Sequence, residues 1–147
     1  QYAYSTPLER QCTVENLAIR AEGYGIPGVT IDGTDIIKVM ETTREAIDRA
    51  RAGDGPTLIE CKNLRLKGHA VHDPASYVPG ELLDEWRERD PISLFQKQLE
   101  GRGLLDENIL CELQARIESE LEEAVEWAEE SPWPEADTLE DGVFSDA

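Results

Sequence analysis

Lysine is nearly missing from this chain of 147 residues: there are four, and 14 Lys plus Arg stand against 32 Asp plus Glu, a formal charge of −18 at pH 7. Nucleic acid and anionic membranes are gripped by clustered cations, so this shortage excludes both as main partners. Cysteine is scarce too. Cys12, Cys61 and Cys111 are far apart and odd in number, which spells neither a disulfide framework nor a Cys-rich zinc site and points to a reducing cytoplasm. No apolar run reaches membrane length, and the opening "QYAYSTP" reads as neither a signal nor a transit peptide. Glycine loops of the GxGxxG or Walker type are absent, and no Ser/His/Asp triad can be argued.

What the chain does have is acid, unevenly placed: from Glu112 onward 13 acidic residues face the single Arg116. An acid-rich, Lys-poor surface suits work in concentrated salt, where repulsion is screened within roughly 3 Å at 1 M. It equally suits an ordinary acidic protein, and both readings stay open. The length is that of one domain, large enough for its own core.

Along the chain, Thr13, Glu15 and Asn16 open an expected short helix, Val14 to Glu22, with Gly23 as its left-handed cap. "GIPGVTIDG" predicts a buried strand over Val29 to Ile31. Thr34 and Asp35 start an amphipathic helix in which Ile36, Ile37, Val39, Met40, Ala46, Ile47 and Ala50 recur at helical spacing. It stops at "GDGP", residues 53–56, and "TLIECKNLRL" is a second strand in which Cys61 reads as a small hydrophobe. Strand, helix, strand is the unit of a parallel sheet, and the chain is therefore α/β. Beyond Pro79 it turns helical, through "GELLDEWRERD" and "DPISLFQKQLEGRG" to a long helix capped by Asp106. In that last helix Ile109, Leu110, Leu113, Ile117, Leu121, Ala124 and Trp127 form one stripe, read as packed beneath a solvated acidic face. Trp86, Trp127 and Trp133 read as core or interface anchors, and Trp133, Leu139, Val143 and Phe144 suggest a tail that packs onto something.

Both histidines fall in "RLKGHAVHDPASY", residues 65–77, just past the second strand. Ligands of parallel sheets sit beyond the carboxyl ends of strands, which makes this loop the candidate site. Three readings compete. An i, i+3 pair makes a facial metal site only on a helix, and Gly68 and Pro74 make this a loop. A polar turn is the plain reading. A loop whose imidazole hydrogen-bonds phosphate or moves a proton is the third, because neutral His serves both roles near pH 7. The "GDG" at 53–55 resembles a diphosphate motif, but it follows a helix and precedes a strand, so it reads as a turn.

"QYAYSTP", "GYGIPGVTIDGTD", "GPTLIE", "GHAVHDPASY", "RDPI" and "DGVFSDA" resemble, in order and spacing, the carboxyl-terminal half of the alpha subunit of thiamine-diphosphate-dependent 2-oxo acid dehydrogenases. The group includes the decarboxylating components of the pyruvate, branched-chain 2-oxo acid and acetoin complexes. The resemblance implies a partial thiamine-diphosphate-binding sheet over residues 1–78, and a helical region with an acidic tail over 79–147 that packs on it or on a partner. It implies oxidative decarboxylation of a 2-oxo acid with acyl transfer to lipoyl, or else an assembly module that has lost the chemistry. His69 and Tyr4 would then bind thiamine diphosphate, with His69 also catalytic. Tyr2 would give its backbone carbonyl to Mg2+, and Asp73 and Tyr77 would support the loop. The family's two side-chain metal ligands would precede Gln1 and are not in the chain. Partners implied are a beta subunit in an alpha2beta2 assembly and a lipoyl-bearing acyltransferase. Ala70 stands where mitochondrial relatives carry a phosphorylated serine, so that control should be missing; Val78 stands where family loops have Arg.

Overall fold

The computed structural model describes residues 1–143. A two-residue strand β1 (Tyr2–Ala3) folds back on β2 (Thr6–Pro7) as an antiparallel hairpin, followed by a single helical turn α1 (Leu8–Gln11). A 3-10 turn (Leu17–Arg20) runs into α2 (Ala21–Tyr24). Then come strand β3 (Gly28–Asp32), helix α3 (Ile36–Arg51) and strand β4 (Leu58–Lys62). The strands pair in parallel, with Ile31 beside Cys61. The β3–α3–β4 unit is thus the parallel crossover that the sequence predicts. Helices α4 (Gly80–Arg87), α5 (Pro91–Gly101) and α6 (Glu107–Glu130) follow, so the chain is mixed α/β with a small parallel sheet.

Capping sets the long helices. The Asp35 side chain accepts the Lys38 N–H at 3.0 Å, Asp90 that of Ile92 at 3.1 Å and Asp106 that of Ile109 at 2.9 Å. Each carboxylate serves a donor with no partner inside its helix. The "GDG" segment is a turn between α3 and β4, with Gly53 and Gly55 both at positive φ.

Four expectations need correction. The helix expected over Val14 to Glu22 starts at Leu17 and ends on Gly25, not Gly23. Asn16 stands at the N-cap but its side chain makes no capping bond; the Glu60 carboxylate on β4, 42 residues away, takes the Ala18 N–H at 2.9 Å instead. Gly25 adopts φ 68°, and the Ile26 N–H reaches the Ala21 carbonyl at 3.1 Å, a Schellman closure. Strand β4 stops at Lys62 instead of Leu66, because its partner ends at Asp32 and the Gly33 N–H closes the ladder on the Lys62 carbonyl at 2.8 Å. Cys61 is exposed, because strand side chains project from the faces of a sheet and its side of β4 is left uncovered among the described residues. Finally, the α6 stripe is exposed at Ile109, Leu113, Ile117, Leu121 and Trp127.

The chain divides into two compact units, Gln1–Leu104 and a second beginning at Leu105. In the first, Leu64, Ala75, Val78 and Trp86 are buried together, with Tyr2, Leu66, Tyr77, Leu82 and Leu83 against them. Helix α4 therefore shares its core with the histidine loop. In the second, Trp133, Leu139 and Val143 are exposed and Ala136–Glu140 makes a 3-10 turn; Phe144 lies outside the described residues. Among the described residues no helix is long and apolar enough to cross a membrane.

Candidate functional site

The segment between β4 and α4 leaves the carboxyl end of a parallel strand and is irregular from Asn63 to Pro79. Its root and its return are apolar: Leu64, Ala75 and Val78 enter the core beside Trp86. Its middle is not. Gly68 is half-buried, while His69, Ala70, Val71 and His72 are exposed. An imidazole is thus carried on a tip whose two feet are held by hydrophobic burial.

Asp73 folds the tip. One carboxylate oxygen accepts the His69 backbone N–H at 2.7 Å and the Tyr77 hydroxyl at 2.7 Å; the other accepts the Ala75 N–H at 2.9 Å. Those three donors hold the Asp73 carboxyl down to about 2, the His69 N–H contributing most, then Tyr77, then Ala75. The same bond raises the Tyr77 hydroxyl above its ordinary value. Arg65 donates to the Lys67 carbonyl at 3.1 Å and approaches the Tyr77 hydroxyl at 3.4 Å. Gly68 has no room for a side chain, as a Cβ there would sit 1.9 Å from the Asp73 carbonyl oxygen. Val78 anchors the return of the loop by burial.

The hairpin meets this loop through aromatic rings. Tyr4 lies 5.1 Å from the His69 imidazole with the planes at 80°, and 5.9 Å from Tyr77, which is itself 6.0 Å from Tyr2. All five residues singled out in the sequence, Tyr2, Tyr4, His69, Asp73 and Tyr77, thus form one connected group. Tyr4 and Ala75 hold positive φ, 53° and 55°, a strain of roughly 1–3 kcal/mol each for residues with a Cβ.

The metal and diphosphate readings can be tested on donors. The Leu8 N–H bonds the Gln1 carbonyl at 2.9 Å, so Tyr2 and Pro7 are the pair of the hairpin that exchanges no hydrogen bond, and the Tyr2 carbonyl points away from β2. That oxygen fits a hard cation as one ligand. Among the described residues no three His, Cys, Asp or Glu gather to hold a metal. The His69 backbone N–H is spent on Asp73, while its imidazole is exposed and fits an anion. His69 lines none of five surface cavities among the described residues. One of about 310 Å³ lies at the loop's root, against Asn63, Leu64, Arg65, Trp86 and Arg89.

Two nodes escaped the sequence. Glu60 also accepts the Thr30 hydroxyl at 3.0 Å; burial pushes its carboxyl up, but hydrogen bonds from Ala18, Leu17 and Thr30 outweigh that and leave it lowered. Arg89 bonds Asp32 at 2.7 Å and lies 4.3 Å over the Trp86 ring, tying the turn after α4 to the end of β3. "RDPI" and "TIDGTD" flagged these stretches, but a pair 57 residues apart has no local signal.

The model of the dehydrogenase E1 component matches residues 1–137. Among curated relatives, the alpha-3 subunit of the chloroplastic pyruvate dehydrogenase E1 component of Oryza sativa subsp. japonica is 40% identical over 127 residues, 86% of this chain and 30% of that protein. The alpha subunit of 2-oxoisovalerate dehydrogenase from Bacillus subtilis is 38% identical over 146 residues, 99% of this chain and 44% of that one. The alpha subunit of the pyruvate dehydrogenase E1 component from Staphylococcus aureus is 37% identical over 147 residues, covering 99% and 40%. The chain therefore spans less than half the length of these relatives. With the match running from the hairpin through the histidine loop and beyond α6, the chain belongs to the dehydrogenase E1 component family and is similar throughout to its alpha subunits.

Proposed function

We propose that this chain supplies part of the cofactor pocket of a thiamine-diphosphate-dependent 2-oxo acid dehydrogenase, which decarboxylates a 2-oxo acid oxidatively and passes the acyl group to lipoyl. The observation that carries this reading is the exposed His69 imidazole on a loop beyond a parallel strand, its backbone fixed by Asp73 and its ring against Tyr4. Thiamine diphosphate, held with Mg2+ on a thiamine-diphosphate-binding sheet, would supply the carbanion and electron sink. The protein's part is to position and enclose. His69 offers a directional hydrogen bond to a diphosphate oxygen and a proton at the acyl hand-over. Tyr2 offers its free carbonyl to the metal, and Tyr4 borders the cofactor beside His69. Asp73 and Tyr77 keep the loop in one shape.

In this reading residues 1–78 form the cofactor-facing half. Residues 79–147 carry the exposed α6 stripe and Trp133, which suit contact with a beta subunit in an alpha2beta2 assembly; a lipoyl-bearing acyltransferase would meet the loop tip. The setting in this reading is a reducing cytoplasm. The exposed stripe also favours a second reading, an assembly module without chemistry.

His69→Ala separates the two. In the assembled enzyme it should lower lipoyl-dependent turnover by about 10²-fold or more while the melting temperature holds. Turnover equal to wild type retires the catalytic role.

A further inference from the structure

The β1–β2 hairpin turns through Tyr4 and Ser5, and of the two only Tyr4 has positive φ. That is the pattern of a type II′ turn, whose first central position ordinarily takes glycine. A Cβ there is unfavourable, so something must retain it. Burial does not, because Tyr4 is 48% exposed. Hydrogen bonding does not either, as its hydroxyl has no protein partner among the described residues. What the ring does have is the His69 imidazole, near-perpendicular at 5.1 Å, and Tyr77 at 5.9 Å.

The loop network explains why His69 needs such a neighbour. Asp73 fixes the His69 backbone through its N–H, but an exposed imidazole still turns about its own side-chain bonds. Among the described residues, Tyr4 is the one aromatic ring set against it. Tyr77 also packs against Tyr4, at 5.9 Å, and is itself fixed to Asp73 by its hydroxyl. Ring and backbone of His69 are thereby constrained from two separate segments, the hairpin and the loop.

We propose that Tyr4 is a positioning residue whose ring, held at a strained hairpin corner, sets the direction of the His69 imidazole. The role in turnover rests on the function assigned to His69 above; the contact itself does not.

With two histidines in the chain, the imidazole region of an NMR spectrum carries two sets of ring protons, and His72, without an aromatic neighbour among the described residues, is the internal reference. His69 protons should be displaced from those of His72 by the Tyr4 ring current. Tyr4→Leu should bring the two together and Tyr4→Phe should keep them apart. In the assembled enzyme, Tyr4→Gly should melt no lower than wild type, since glycine accepts the positive φ. Yet it should lose kcat on the order of tenfold with little change in KM, and Tyr4→Phe should recover most of what Tyr4→Leu loses. A part that was merely structural would move stability and activity down together. Unchanged His69 signals in Tyr4→Leu, or wild-type kcat in Tyr4→Gly, overturn the proposal. The spectra decide the contact whatever His69→Ala does to turnover, so failure of this inference and failure of the assigned function are told apart.

Discussion

Asp73 does at one residue what helix caps do at helix ends: it gathers donors the backbone leaves over. Its carboxylate serves the His69 and Ala75 amides and the Tyr77 hydroxyl. These bonds favour the charged form, so its folded pKa, about 2, lies below the ordinary 3.8 of an aspartate. A lowered carboxyl stabilises the folded loop above its unfolded pKa and loses that contribution as pH falls toward the folded one. The loop should thus be unchanged from neutral pH down to the ordinary carboxylate range and come apart below it. Chemical shifts of the His69 and Ala75 amides, followed through acid titration, should move together with an apparent midpoint near 2. In Asp73→Asn that shared transition should vanish. Midpoints that differ between the two amides would show that one carboxylate does not hold both.

Helix α4 returns the chain from the loop, and two interactions compete to explain what keeps it there. Trp86 is buried among Leu64, Ala75 and Val78, whereas the Arg89–Asp32 pair has side chains 38% and 44% exposed. Exposed ion pairs contribute roughly 0–1 kcal/mol, while truncating a buried aromatic costs about 3–5 kcal/mol. Burial therefore dominates. Trp86→Ala should lower unfolding free energy in denaturant by several times more than Arg89→Met, and should also disturb Tyr77, which packs on the same cluster. Equal losses in the two variants would make the ion pair the real anchor. The cation–π contact at 4.3 Å ties the two together, so the double variant should lose less than the sum.

At the scale of the molecule the excess of acid matters most. A charge of −18 meets three ion pairs among the described residues, one each at Arg87, Arg89 and Arg116. Most carboxylates therefore face one another across water, where added salt weakens repulsion. The melting temperature should climb as KCl goes from dilute to molar, and a fall over that range removes the high-salt reading. The sequence by itself determined whatever depends on neighbours along the chain. The helix starts at Asp35 and Asp106, the β3–α3–β4 order and the turn at "GDGP" are all local, because helix starts and strand alternation need only a few adjacent residues. It also singled out the five candidate residues, since they lie in short motifs, and the structure joins them in one group. Tertiary structure alone decided the rest. Glu60 starts a turn 42 residues upstream, Arg89 finds Asp32, Val78 is buried against Trp86, and the hairpin brings Tyr4 to His69. Each is a contact between segments distant in sequence, made only once packing has closed the loop between them.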